Sequence, residues 1–307
     1  MIIGGTVLKK CILCIIATAF LFGTLEVSVK YSGIGFDPIQ LTFLRFLIGG
    51  LLLLPFSIAD LKKRQYRLTL ADLGYLLFLG ITCVCLSMAL LQISIKGINA
   101  NLAAVIICTS PLFTMIFAHF VANDPFTRRK AVVLLLMLVG LLIVADPVKI
   151  LSGAVSPLHL LYAVLSSLTF GLYTAYGKRR IAKIGGMTQN ALSFLFGCAV
   201  LLVFMLCTGI PVTEGIRPDT LPILLYLGIF VTGLGYYFYL KAIELAGPSM
   251  ASIAFFLKPI IAPVLAYLVL GEPVTINLVI GIAFILAGSY INLSGSLNSQ
   301  KSALRKG

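Results

Sequence analysis

Residues 249–275 read SMASIAFFLKPIIAPVLAYLVLGEPVT, and residues 101–127, 148 positions earlier, read NLAAVIICTSPLFTMIFAHFVANDPFT. Each run is long and apolar enough to cross the ~30 Å of a bilayer's hydrocarbon, which takes about 20 helical residues. Each carries a proline near its middle, Pro111 and Pro259, and each closes on an acidic residue followed by a second proline, Asp124 with Pro125 and Glu272 with Pro273. The same shift of 148 pairs Phe22 with Phe170, Gly23 with Gly171, Phe46 with Phe194, Gly49 with Gly197, Gly80 with Gly228 and Gly140 with Gly288. Apolar residues match by chance often; glycine, proline and acidic residues matched at one offset point to an internal duplication.

Working outward from these two segments, ten apolar stretches of helical length follow one another, with cores at 11–29, 38–59, 73–95, 102–122, 131–145, 158–176, 188–207, 221–240, 250–270 and 276–293. Helices are expected, because such runs lack the polar alternation of barrel strands and must satisfy their backbone groups internally. Each copy holds five spans. An odd number forces the second copy to enter the membrane upside down relative to the first. The loops agree: the turn NDPFTRRK is basic, whereas its counterpart GEPVTINL has no Lys or Arg. With the N-terminus inside, most of the 23 Lys and Arg residues fall on the cytoplasmic side, the other side holding only Lys30, Lys96, Lys149 and Arg217. The expected fold is therefore an all-α integral membrane protein of ten transmembrane helices in two inverted five-helix repeats around a central cavity. The repeats are 11–147 and 158–295, a basic tail follows at 296–307, and both termini are cytoplasmic.

Composition excludes the soluble classes. Sixty per cent of the residues are apolar and 11% charged, against about 45–50% and about 25% in soluble domains. The formal charge of +13 lies in short breaks between apolar runs and suits anionic lipid rather than nucleic acid. The seven cysteines sit inside apolar segments, and Cys11 and Cys14 have no second cluster to complete four zinc ligands, so no metal site or cofactor is expected. The first span, 19 residues long behind Lys9 and Lys10 with no small-x-small site after it, reads as uncleaved.

Polar residues inside the spans are the candidates for function. Lys258 precedes Pro259 where the first copy has Ser110 before Pro111, so a charge breaks the symmetry at mid-membrane, and a partner, water-filled space or ligand anion is expected to offset it. Proline removes an amide hydrogen and crowds the carbonyl one turn back, so Ile107 and Phe255 are expected to present polar backbone there; a simple kink is the alternative. Glu26 in the first span is the deepest acidic residue, the candidate partner for a cation or for a proton as coupling ion. Arg45, eight residues into the second span, is expected to snorkel outward as an anchor. The run GYYFYLKAIE supplies Tyr236, Tyr237 and Tyr239, and the end of span six Tyr173 and Tyr176; some of these are expected to face the cavity, Tyr237 and Tyr173 foremost, with Gln92 a weaker polar one.

No GxxxxGK[ST] loop, HExxH or Ser, His and Asp set occurs in the spans, so no catalytic residue is assigned. An inverted pair of bundles is the architecture of secondary transporters, with an intramembrane enzyme or a channel-like facilitator as alternatives. The segments LFGTLEVSVK, LTFLRFLIGGLLLLPF and KPIIAPVLAYLVLGEPVT, the last matched in weaker form by SPLFTMIFAHFVANDP, resemble the EamA family of the drug/metabolite transporter superfamily over about residues 11–295. The resemblance implies export or exchange of small metabolites, often amino acids or related amphipathic compounds, across the cell membrane through a cavity open to one side at a time; Lys258 adds the expectation that the metabolite is anionic. Many members have Glu where this chain has Lys258, which unsettles any Glu-based coupling. The expected partners are a small-molecule substrate and the lipid bilayer, as monomer or homodimer. We expect Lys258 to attract an anionic group of the substrate while aromatic rings pack its apolar part.

Overall fold

The computed structural model describes residues 5–31, 35–122, 127–246 and 253–304. Among these residues there are helices and turns and no strands. Among the described residues seven helices are long and apolar enough to cross a membrane, and two more, Leu257–Leu270 and Ile276–Ile291, are shorter and apolar. Leu13, Leu135, Val203 and Leu268 stand exposed on the outer surface, as expected where lipid rather than water is the solvent. The turn holding Asp124 lies outside the described residues.

The first span is a pair of helices, α1 (Gly5–Gly23) and α2 (Leu25–Tyr31), joined at Thr24. The hydroxyl of Thr24 donates to the Leu21 carbonyl oxygen and lies 2.8 Å from the Tyr226 hydroxyl. The second span, α3 (Pro38–Arg64), begins at an Asp37 cap whose side chain accepts from the Ile39 amide, with Pro38 in the first turn where its missing N–H costs nothing. The third consists of α4 (Leu70–Gly80), a π-helical segment Ile81–Met88, and α5 (Ala89–Gly97). The fourth is broken into α6 (Ala100–Ile107) and α7 (Ser110–Ala122). There follow α8 (Arg128–Ala145), the short α9 (Pro147–Leu151), α10 (Pro157–Gly177), the short α11 (Ile181–Ile184) and α12 (Gly186–Thr208). The chain then runs through α13 (Leu221–Leu225), a second π-helical segment Tyr226–Leu234, α14 (Gly235–Ala246), α15 (Ile253–Leu270) and α16 (Ile276–Leu304).

The two mid-span prolines do not act alike. Pro111 lies in the first turn of α7, just after a break at Cys108 and Thr109 where the Thr109 amide and hydroxyl both donate to the Ile106 carbonyl. Pro259 and Pro263 lie inside an uninterrupted α15. The shift of 148 puts Leu257 opposite Thr109, so the second copy lacks the hydroxyl that bonds the Ile106 carbonyl at the break in the first. The expectation of two equally disturbed helices is thus corrected: among the described residues only the first is interrupted.

Glycine lets the helices close on one another, as small residues do in membranes. A Cβ on Gly80 would stand 2.3 Å from the Ser193 carbonyl oxygen, and one on Gly197 would stand 2.7 Å from the Gly80 carbonyl oxygen. Helix α4 and its π segment therefore lie hard against α12, while α3 packs along α12 and against the second π segment. Helix α1 lies on α14 and α15, α10 on α5 and α7, and α8 on α16.

Candidate functional site

These packings leave a cavity of about 50 Å³ walled by Phe22, Leu25, Arg45, Met88, Leu91, Ile107, Cys108, Ser110, Phe170, Val231, Tyr236, Phe255 and Lys258. Several wall positions coincide under the 148-residue shift: Phe22 with Phe170, Met88 with Tyr236, Ile107 with Phe255, and Ser110 with Lys258. The walls are drawn from both halves of the chain, several at positions that the shift pairs.

Two charges meet beside it. Lys258, on α15, donates to Glu26 Oε1 on α2 at 2.7 Å, and both side chains are buried. The expected juxtaposition of Glu26 with a cation is found, and its partner is Lys258. The second carboxylate oxygen, Oε2, is buried without a hydrogen-bond partner among the described residues. Placing either charge alone in an apolar interior would be costly, so each supplies what the other needs.

A third charge lies where anchoring was expected. Arg45 is 2% exposed and belongs to the cavity wall, so it does not snorkel. Its Nη1 donates to Thr232 Oγ1 at 3.3 Å, and its guanidinium lies over Phe46 at 4.4 Å from the ring centroid. The π-helical segment carrying Thr232 packs on α3 and provides that acceptor; a Cβ on Gly49 would stand 2.7 Å from the Thr232 methyl group.

Aromatic rings close the apolar side. Phe22 stands 5.1 Å from Tyr236 and 6.1 Å from Phe255, and Tyr236 meets Phe194 edge-on at 4.9 Å. The tyrosine facing the cavity is Tyr236 rather than Tyr237. Tyr237 is half-buried, with its ring 5.1 Å from Phe56. Tyr173 is buried beyond the wall and donates to Asn190 Oδ1 at 2.7 Å. Gln92 is buried with neither amide atom partnered among the described residues, and it too is absent from the wall. Of the expected residues, Lys258, Ser110, Phe255 and Glu26 come together; Tyr237, Tyr173 and Gln92 do not join them. Tyr236, of the same tyrosine run as Tyr237, is in the wall; Arg45, Phe22 and Phe170 are the additions, and the matched pair Phe22 and Phe170 is the signal that would have found two of them.

Outside the cavity wall, the Glu272 carboxylate accepts from the amides of Ala100 (2.8 Å) and Asn101 (3.0 Å) in the first turn of α6. Lys30 lies 3.4 Å from the same carboxylate and donates to the Ile98 carbonyl at 2.7 Å. One half of the chain thereby caps a helix of the other.

The model of the EamA-like transporter family matches residues 9–145 and again residues 157–294. The chain belongs to the EamA-like transporter family. An uncharacterized transporter of Clostridium kluyveri is 38% identical over 304 residues, covering 97% of each chain. An S-adenosylmethionine uptake transporter of Rickettsia prowazekii is 24% identical over 254 residues, 80% of each chain. A crystal structure with 18% sequence identity superposes with a TM-score of 0.63, covering 92% of this chain and 96% of that one, and supports the fold. This EamA-like chain is thus a multi-pass membrane protein of a transporter family.

Proposed function

We propose that this EamA-like protein is a secondary active transporter, an exporter or exchanger, that moves a small metabolite across the cytoplasmic membrane by alternating access. Ten spans form two inverted five-helix repeats, 11–147 and 158–295, with the cavity between them. The observation that carries the reading is that Arg45 from the first half and Lys258 from the second line one small cavity among apolar helices, with Glu26 of the first half bonded to Lys258. The packing supports two structurally equivalent repeats, since its partners exchange under the 148-residue shift. The contacts of α1 with α14 and α15 have mates in those of α10 with α5 and α7, and the α3 contact with the second π segment has one in that of α12 with the first. The paired wall positions follow the same rule.

In this reading Ser110, Phe255, Tyr236 and the Glu26 and Lys258 pair contact the substrate. The cavity, at about 50 Å³, opens toward one face at a time as the halves rock. Relatives named as transporters, one for S-adenosylmethionine uptake, support a small-molecule substrate. Proteoliposomes of the purified chain test it. We expect saturable counterflow, in which an internal pool of one solute drives uptake of labelled solute across a panel of amino acids, organic acids and nucleotides, with and without a pH gradient. Conductance without saturation would instead mark a channel, and product formation in detergent an enzyme; either would overturn the reading.

A further inference from the structure

The side chain of Arg45 is bonded on one side only. Nη1 is engaged by Thr232, whose own hydroxyl donates to the Leu227 carbonyl at 2.9 Å, and Phe46 fixes the plane of the guanidinium. Nε and Nη2, the two nitrogens that share one edge of the group, are buried with no hydrogen-bond partner among the described residues. Parallel N–H donors on that edge match the two oxygens of a carboxylate, and such bidentate pairs are among the strongest hydrogen bonds proteins make. A buried guanidinium held by one neutral hydroxyl is costly until an acceptor takes its open edge.

Charge then narrows the ligand. Glu26 and Lys258 cancel across their 2.7 Å contact, so the three buried groups sum to one uncompensated positive charge, carried by Arg45. A singly charged anion neutralises the site. A zwitterionic amino acid would leave the excess in place, and a dianion would overshoot. Arg45 belongs to a cavity wall that is otherwise largely aromatic and aliphatic, with Phe22, Phe170, Tyr236 and Phe255 available to the remainder of the molecule.

We propose that the cavity binds the carboxylate of an organic acid with one net negative charge on the Nε and Nη2 edge of Arg45, which makes this residue a substrate-binding group. The proposal rests on the transport reading for its role in the membrane and deepens it by naming the substrate class.

Matched pairs of compounds that differ in the amine test it: pyruvate with alanine, 4-methyl-2-oxopentanoate with leucine, and phenylpyruvate with phenylalanine. Binding to the full chain in detergent is measured by calorimetry, and counterflow in proteoliposomes. The oxo acid is expected to bind at least about tenfold more tightly than its amino acid in one pair or more. Arg45→Lys, which keeps the charge and loses the fork, is expected to weaken the oxo acid by about tenfold or more, the scale of one charge-assisted hydrogen bond. Thermal unfolding of the variant establishes that it is folded; if it is not, the wild-type ratio within each pair decides alone. Amino acids that bind as well as their oxo acids throughout, no binding by any oxo acid, or a folded Arg45→Lys with wild-type affinity would each overturn the proposal. Oxo-acid binding without counterflow would leave the carboxylate site standing and remove the transport reading, whereas counterflow confined to other solutes would do the reverse.

Discussion

Lys258→Ala is expected to lower stability by about 3–5 kcal/mol, because it leaves the Glu26 carboxylate buried without its cation. Glu26 is fully buried, its one bonded oxygen accepts from Lys258 Nζ at 2.7 Å, and its other oxygen has no partner among the described residues. The structure therefore offers no second cation bonded to it. Replacing both residues, Glu26→Gln with Lys258→Met, removes both charges at similar volume, and most of the lost stability should return, since well-packed neutral substitutes for buried pairs are often neutral or stabilising. Thermal unfolding of the three proteins in one detergent measures this. A single variant as stable as the parent would show that the pair is not what offsets the buried carboxylate. The double variant separates stability from function: folded but devoid of counterflow, it places the pair in the substrate path; with undiminished counterflow, it reduces the pair to a structural tie.

The second large effect is expected at Glu272. Its carboxylate takes the amide hydrogens of Ala100 and Asn101, both in the first turn of α6, and thus sits where a helix's unbonded donors and its dipole favour an anion. Asn101 adds a side-chain bond to the Pro273 carbonyl at 3.3 Å. Glu272→Ala would leave two donors in a buried setting without acceptors, at a cost of about 2–4 kcal/mol for the state in which this contact is made. Glu272→Gln keeps one accepting oxygen and should fall between. Because the contact ties the two halves at one end, its loss should also expose that end: a cysteine placed at Ala100, fully buried in the structure, should react with a water-soluble maleimide about tenfold faster or more in the Glu272→Ala background. An unchanged rate together with unchanged stability would mean that this cap does not hold the end closed.

Much of this was legible in the sequence, and the parts that were not have identifiable causes. Duplication and membrane class could be read because hydrocarbon leaves few alternatives to long apolar helices and because glycine and proline mark backbone geometry rather than mere apolarity. Glu26 and Lys258 could be read as needing partners because lone charges in hydrocarbon are costly. Arg45 was misread because depth was counted along one helix; its burial depends on Thr232, 187 residues away, brought to it by a segment whose hydrogen bonding nothing in the composition announces. The same segment explains the exchange of Tyr237 for Tyr236. A π-helical stretch from Tyr226 to Leu234 turns more slowly than 3.6 residues per turn, so the faces of α14 that follow it are rotated from those a regular helix would present. The break after Ile107 and the continuity through Pro259 were likewise not legible, since both spans carry the mid-span proline; at the break the Thr109 hydroxyl donates to the Ile106 carbonyl, and Leu257 stands opposite it in the second copy.

The central claim, that the two halves lie in the membrane with opposite orientation, is tested most directly by sidedness. In a variant without the native cysteines, single cysteines are placed at Arg128 and at Ile276, exposed positions opening α8 and α16 that correspond under the 148-residue shift. An impermeant thiol reagent applied to intact cells should label the cysteine at 276 and reach the one at 128 only after the membrane is broken. Labelling of both from the same side would contradict the account.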